Sequence, residues 1–373
     1  VVTVAVQSSA GIDAVVSTFP GLSKWSVILT ITVVLFLLYG NLRGVKEAGK
    51  AFAAPTYLFI GSMFIVFVVG LYRDFTGQLP ELSTDQPGAI SIGSTQGLLT
   101  ATSIFILLRA FANGGSSLTG LEAISDGVSL FKAPEHVNAK RTLIVMSTLL
   151  GTLVLGVSWF AQRTHAMPYE GGAPTVISQI ADVVLGNSAF GHYMFFMVQA
   201  STMLILFAGA NTTYSAFPLL CNFVATDGYL PRQLTKRGHR LAFSNGIILL
   251  SGLAIALILF TGASVEHLVA FYALGVFTGF TLAGFGMTRH SLRHKPKGWQ
   301  MRVVVNSIAG SVSLLVVIIF SIVKFSEGAW IVLVLAPILV ITFLRLRAQY
   351  TREQNALAVQ EHQHRATSVS YTH

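Results

Sequence analysis

Two charged side chains lie deep inside one long apolar stretch of the sequence. The stretch covers residues 98–131 and contains Arg109 and Glu122. An ionisable group within a bilayer costs at least a few kcal/mol, so it normally faces a cavity or a partner. A buried carboxylate takes up a proton more readily, and a nearby cation favours its charged form. We therefore predict that Glu122 binds a cation and couples its movement to a proton. A structural role as a helix cap or cross-link is the alternative.

Between these two charges the helical pattern is interrupted. The run Ala112-Asn113-Gly114-Gly115-Ser116-Ser117 joins two apolar arms. Paired glycines and small polar residues form helices poorly, and backbone that leaves a helix within a bilayer must be buried by protein or line a cavity. Secondary transporters build ion and substrate sites from such broken helices. We predict a break over residues 112–118, with Ala112, Asn113, Gly114 and Ser117 contributing to a binding site. A simple kink or a close helix crossing is the alternative.

In one straight helix Arg109 and Glu122 would be ~20 Å apart, which is too far for a direct ion pair, so Arg109 is interpreted as structural.

Further polar side chains lie in two other apolar stretches. They line a pathway or form hydrogen bonds between helices, and the sequence leaves both readings open. These side chains are Asn211, Thr212 and Tyr214 in one stretch, and Thr3, Gln7, Ser8 and Ser9 in the other.

The sequence does not support other site chemistries. The run Gly114-Gly115-Ser116-Ser117 is not followed by Gly-Lys-Ser/Thr at the spacing of a phosphate-binding loop. No His/Cys group has metal-ligand spacing, and no Ser/His/Asp constellation can be argued. The single Cys221 excludes an internal disulfide framework and is interpreted as a packing residue. We therefore expect no enzymatic activity and no cofactor.

Composition places these residues in a membrane. The chain of 373 residues is 53% hydrophobic and only 10% charged, with a mean hydropathy of +0.68. A soluble domain has roughly a quarter charged residues, so lipid must be the main solvent. The net charge of +9 would suggest a nucleic-acid partner in a soluble protein. Here the basic residues lie in short loops between apolar runs, which favours membrane topology as their cause. We expect a lipid bilayer as partner and no nucleic acid.

Runs of ~20 mostly apolar residues predict spanning helices. The opening stretch, residues 1–16, resembles part of one more helix. The chain begins with Val1 rather than Met, so we expect that an N-terminal part is missing. Residues 1–345 are predicted to form the transmembrane domain, and residues 346–373 a polar cytoplasmic tail that frays. The nine predicted spans are residues 25–40, 53–72, 98–131, 142–162, 190–217, 244–261, 265–286, 302–323 and 327–344.

Basic residues are distributed unevenly between the two sides of this arrangement. Of the 24 Lys and Arg residues, only Lys24, Arg73, Arg163 and Lys324 fall on one side, and Arg109 falls within a span. All the others fall on the opposite side, which the positive-inside rule assigns to the cytoplasm. We predict a multi-pass protein of the plasma membrane with a cytoplasmic C-terminus.

The sequence resembles the amino acid–polyamine–organocation superfamily, and within it the KimA-like potassium/proton symporters. The stretches that carry the resemblance keep their order along most of the chain. They are NLRGVKEAGKAFAAPTY (41–57), SSLTGLEAISDGV (116–128), FKAPEHVNAKRTL (131–143), NTTYSAFPLL (211–220), DGYLPRQLTKRGHRLAFSNGI (227–247) and GFTLAGFGMTRH (279–290).

The resemblance implies an all-α membrane protein with the inverted-repeat fold also seen in LeuT. In that fold the opening stretch is the third helix and the broken segment is the sixth, so the first two helices are missing. Thr119 would coordinate potassium, and Glu122 would be the acidic residue tied to proton coupling. Thr3 matches a site threonine of the third helix. Gln7 replaces a serine, although its carbonyl oxygen and the adjacent Ser8 can still serve as ligands.

Three functions remain in competition. The first is proton-coupled potassium uptake, with potassium and protons as partners. The second is an amino-acid or polyamine permease on the same fold, which would need backbone N–H groups and space for a carboxylate. The third is a membrane enzyme or receptor, which would need a catalytic constellation or a sizeable soluble domain. The hydroxyls and carboxylate of SSLTGLE favour the first. The oligomeric state is left open, with a homodimer as one alternative.

Overall fold

The structure, a computed structural model, describes residues 1–43, 49–83, 87–89, 101–115, 128, 131–169, 171–235 and 244–369. Within these ranges the regular structure is helical, and the only bridge between extended residues pairs Ala89 with Tyr169. The predicted all-α class is confirmed. The helices are α1 (Val2–Thr18), α2 (Ser26–Leu42), α3 (Gly49–Phe75), α4 (Ala101–Gly115), α5 (Glu135–Thr164), α6 (Val176–Leu185), α7 (Ala189–Thr226), α8 (Ser244–Thr261), α9 (Val265–His294), α10 (Trp299–Val323) and α11 (Trp330–Val369).

In the described part of the chain, eight helical segments are long and apolar enough to cross a membrane. They correspond in order to eight of the nine predicted spans. The remaining prediction, residues 98–131, is represented by α4 and by residues that lie outside the described ranges. The opening stretch forms α1, a helix of 17 residues. The chain is therefore a multi-pass membrane protein.

Helix α1 lies at the centre of the bundle. It packs against α2, α7, α8 and α9. Val4 and Ala5 are fully buried and belong to one apolar cluster with Leu250 of α8 and Leu268 of α9. A side chain at Gly11 would collide with the ring of Phe207 on α7, so the absence of a Cβ there allows the two helices to approach closely.

Helices α9 and α10 form a tightly packed hairpin. Their connection contains Lys295 and Gly298, both with positive φ, at 44° and 76°. Gly284 of α9 faces Gly310 of α10, because a Cβ added to Gly284 would lie only 2.7 Å from the Gly310 Cα. The phenyl rings of Phe277 and Phe320 stack across the same interface at 6.0 Å between centroids.

A compact connection joins α5 to α6 at the end of the bundle where α1 finishes. Gln179 of α6 holds it together, since its Nε2 donates to the carbonyls of Met167 and Pro174 at 2.7 and 3.0 Å. The Met167 amide donates back to the Gln179 Oε1 at 3.2 Å. Arg163 donates to Asp74 at 2.6 Å and ties the end of α5 to the end of α3. Helix α6 has ten residues and is too short to span, which is why hydropathy did not predict it.

The last helix differs from the prediction. A π turn at Phe325–Ala329, with Gly328 at φ 107°, separates α10 from α11. Helix α11 then continues without interruption to Val369. The fraying of the tail from Gln349 stays a prediction. The change from membrane domain to polar tail is a change of composition along one helix.

Candidate ion-pathway site

The predicted site falls partly outside the described residues. Ser117, Thr119 and Glu122 lie in residues 116–127, which are not described. Ala112, Asn113 and Gly114 lie in α4, which remains helical as far as Gly115. The predicted break at residues 112–118 therefore does not begin before Gly115, and its second half stays a prediction. The other predicted ligands, Thr3 and Gln7, lie in α1.

Helix α1 has two faces of different burial. Val4, Ile12 and Val16 are buried in the bundle. A second face is half-buried and recurs at the spacing of three or four residues that places side chains on one side of a helix. We call it the polar face of α1; it carries Thr3, Gln7, Asp13 and Ser17, together with the apolar Val6 and Ala10. The structure thus places both predicted α1 ligands on one surface.

Gln7 has an unusual environment. Its Oε1 is fully buried and accepts no hydrogen bond from any part of the chain that the structure describes. The side chain lies against Gly209 of α7, where a Cβ would collide with the amide group. Ser8 and Ser9 are 0% and 1% exposed, and their hydroxyls also have no hydrogen-bond partner in the described ranges.

These oxygens have the chemistry of a cation site. Burying a carbonyl or hydroxyl without a hydrogen bond is unfavourable, so buried polar groups are normally paired. Hard cations are bound by carbonyl, hydroxyl and carboxylate oxygens. Gln7, Ser8 and Ser9 carry such oxygens, but successive residues point about 100° apart around a helix, so one ion cannot contact all three. We interpret the Gln7 Oε1, on the polar face with Thr3, as the described part of an ion pathway.

The residues of the second candidate group make contacts of another kind. Asn41 of α2 donates to the Asn211 Oδ1 at 2.6 Å, and the Tyr214 hydroxyl pairs with Ser251 of α8 at 2.8 Å. Thr212 is exposed and donates to the Gly209 carbonyl of its own helix at 2.7 Å. The contacts of Asn211 and Tyr214 are hydrogen bonds between helices, which was the alternative to a pathway lining in the sequence analysis. A pathway role for the three residues stays a prediction.

Sequence reasoning missed Asp13, which lies on the polar face of α1. The signal was available, because Asp13 is the only charged residue between Val1 and Phe19. A charge within a membrane helix indicates a functional position by default. The surroundings of Asp13 depend on the connection between α5 and α6, which the sequence did not place near α1.

Comparison with known proteins identifies the class to which this bundle belongs. A family model described as amino acid permease matches residues 1–344. The chain belongs to this family, and the resemblance to the amino acid–polyamine–organocation superfamily is confirmed. The chain is also similar to the potassium transporter KimA of Bacillus subtilis (strain 168). The two are 41% identical over 352 residues, which is 94% of this chain and 56% of that protein. The chain thus spans about half the length of this curated relative.

Proposed function

We propose that this chain is part of a secondary active transporter that takes up potassium together with protons across the plasma membrane. The observation that carries the proposal is the 41% identity, over 94% of the chain, to a potassium transporter. The buried Gln7 Oε1 supports it, because a dehydrated potassium ion needs such ligands.

In this proposal Thr119 coordinates potassium and Glu122 couples the ion to a proton. Thr3 and Gln7 supply further oxygens from α1. Ala112, Asn113 and Gly114 lie near the end of α4 that precedes Thr119 in the chain, and Ser117 is a further proposed ligand. A carboxylate in a low-dielectric cavity is costly when it is ionised and alone. Glu122 therefore passes a proton on as the cavity opens to each side, in the same direction as the cation.

The proposal includes an orientation. The connections rich in Lys and Arg face the cytoplasm, as does the C-terminus, and the connection between α5 and α6 faces outward. The end of α1 at Thr18 is then its outer end. A homodimer is compatible with this arrangement.

Glu122→Gln tests the coupling role. The full-length protein is reconstituted in proteoliposomes, and potassium uptake is measured with and without an inward proton gradient. Gln keeps the size of Glu but cannot titrate, so we expect loss of gradient-driven accumulation while downhill potassium exchange remains. Glu135→Gln is the matched control, because Glu135 is exposed in the first turn of α5. Unchanged accumulation in Glu122→Gln would refute the coupling role.

The second candidate is an amino-acid or polyamine permease, and the description of the matching family favours it. Competition decides between the two functions. If potassium is the substrate, amino acids and polyamines in excess leave potassium uptake unchanged in the same proteoliposomes. Uptake of a labelled amino acid or polyamine, without potassium uptake, would replace the proposed function by this alternative.

A further inference from the structure

Asp13 carries a half-buried carboxyl group that the mechanism above does not use. It lies on the polar face of α1, near the end of the helix at Thr18. The described part of the chain offers it no hydrogen bond and no ion pair; only the Asp13 backbone carbonyl is engaged, by the Ser17 hydroxyl at 2.7 Å. A half-buried carboxylate on a membrane helix calls for a positive partner.

The connection between α5 and α6 lies directly over this carboxylate. A Cβ added to Gly172 would be 2.8 Å from the Asp13 Oδ2 and 3.3 Å from its Oδ1. The backbone of Gly172 has a φ of 77°, which L-residues rarely adopt. Thr175 fixes the same connection to α1, since its amide donates to the Ser17 hydroxyl at 3.0 Å. The glycine allows the backbone to approach the carboxylate closely without displacing it.

A second unpaired oxygen lies one turn away. Ser9 is 1% exposed, and its hydroxyl has no hydrogen-bond partner within the described ranges. Four residues separate it from Asp13, which places the two side chains ~6 Å apart along the axis and ~40° apart around it. Both side chains lean toward the N-terminus of the helix, so their separation along the axis stays about 6 Å.

We infer that Asp13, with the Ser9 hydroxyl beside it and Gly172 above it, forms a second site for a monovalent cation on the outer access path. The inference rests on the proposed function, because that function supplies both the cation and the outward orientation. Gln7 lies six residues earlier in α1, so the outer site is ~9 Å along the helix axis from that predicted ligand. The outer site binds a cation after it has lost part of its hydration shell and before it reaches the inner ligands.

Substitution of Asp13 tests the inference in the full-length protein. Initial rates of potassium uptake are measured against external potassium concentration in a strain that lacks other potassium uptake. We expect Asp13→Asn to raise the half-saturating concentration about tenfold, with the maximal rate largely kept, since a nearby opposite charge has been removed. Asp13→Glu keeps the charge and should stay close to the parent. Asp182→Asn is the control, because Asp182 is an exposed carboxylate on α6 at the same end of the bundle.

A pair of glycines tests the geometry independently. Gly172→Ala would place a methyl group against the Asp13 carboxylate. Gly77→Ala is the matched control, because Gly77 also has a positive φ, at 68°, and a Cβ there meets nothing within 4 Å. We expect Gly172→Ala to raise the half-saturating potassium concentration and Gly77→Ala to leave it unchanged. Fluorescence-detected size exclusion measures how much folded Asp13→Asn protein accumulates. If that amount is too small for uptake assays, the two glycine variants test the outer site instead.

The outcomes separate the two proposals. Potassium uptake by the parent with an unchanged half-saturating concentration in Asp13→Asn would overturn the outer site alone. Absence of potassium uptake by the parent itself would overturn the proposed function and the outer site together. An equal effect of Asp182→Asn would show that the general surface charge acts on potassium, and would also overturn the outer site.

Discussion

At the scale of single residues, the buried polar side chains fall into two groups. Asn211 and Tyr214 are paired with residues of neighbouring helices at 2.6 and 2.8 Å. The hydroxyls of Ser8 and Ser9 and the Gln7 Oε1 are buried without a partner in the described part of the chain. The first arrangement stabilises a bundle. The second is unfavourable for stability, so we expect it to be kept for what it binds.

Tyr214→Phe tests the stabilising role of the first group. The substitution leaves the Ser251 hydroxyl without its partner in a buried position. We expect a loss of about 1 kcal/mol in the free energy of unfolding, with unchanged potassium uptake by the folded protein. Thermal unfolding in detergent and the uptake assay measure the two effects. Thr212→Val is the control, because the exposed Thr212 hydroxyl bonds only within its own helix. A large loss of uptake at full stability would instead assign Tyr214 to the pathway.

Gln7→Leu tests the binding role of the second group. Leu fills a similar volume and removes an oxygen that has no described hydrogen-bond partner. We therefore expect unfolding to occur at the same or a higher temperature, while potassium uptake falls about tenfold or more. The same thermal and uptake measurements check this. A destabilised protein with normal uptake would show that Gln7 is a structural residue.

At the scale of elements, the helices α9 and α10 approach so closely that their backbones touch at Gly284 and Gly310. Glycines at a helix crossing replace side-chain packing by direct backbone contact, which favours association in lipid. The stacked rings of Phe277 and Phe320 fill the same interface further along the helices. The pair has the contacts of a single rigid unit within the bundle.

Gly284→Ala should separate these two helices. The added Cβ would meet the Gly310 backbone at 2.7 Å, and backbone cannot move aside as a side chain can. We expect a destabilisation of about 1–3 kcal/mol, seen as a lower unfolding temperature. Gly286→Ala, two residues further along the same helix, meets nothing within 4 Å and should leave the unfolding temperature unchanged. Equal behaviour of the two variants would contradict the close crossing.

Helix positions were well predicted, and helix ends were not. The predicted span 244–261 coincides with α8, whereas α5 begins at Glu135 rather than at residue 142. The difference arises because a helix continues beyond the apolar core into polar residues that hydropathy excludes. Helix α6 was missed, since its burial under neighbouring helices depends on tertiary packing.

The site shows the same division. Thr3 and Gln7 could be predicted from residue type and from the family resemblance. The pairing of Asn41 with Asn211, 170 residues apart, could not, because no local pattern carries it. The position of Gly172 over Asp13 could not be predicted either. It depends on the conformation of the connection between α5 and α6, which the Gln179 side chain holds by hydrogen bonds.

At the scale of the whole molecule, the helices differ in how much surface they leave uncovered. In the most apolar window of each helix, 39% of residues are buried for α9, 6% for α5 and 0% for the membrane portion of α11. This order places α9 in the interior and α5 and α11 at the periphery, where lipid covers their apolar side chains. The peripheral helices need only hydrophobic surface, and their sequences show little else.

Cysteine labelling tests the proposed orientation of the whole chain. The buried Cys221 is replaced by Ala, and single cysteines are introduced at the exposed positions Lys132, Asp182 and Lys297. In intact cells a membrane-impermeant maleimide should label Asp182→Cys and should not label Lys132→Cys or Lys297→Cys. Permeabilised cells provide the control, because all three should then react. The reverse pattern in intact cells would show the opposite orientation.

The three hydrogen bonds of Gln179 make the connection from Met167 to α6 a small closed ring. A ring closed by one side chain opens in one event rather than residue by residue. The hydrogen bonds of the Gln179 side-chain amide must break before the Met167 backbone amide can exchange. The Met167 amide should therefore exchange with deuterium only at the rate at which those bonds break. Since the same segment carries Gly172 over Asp13, opening of the ring would also move Gly172 away from the carboxylate.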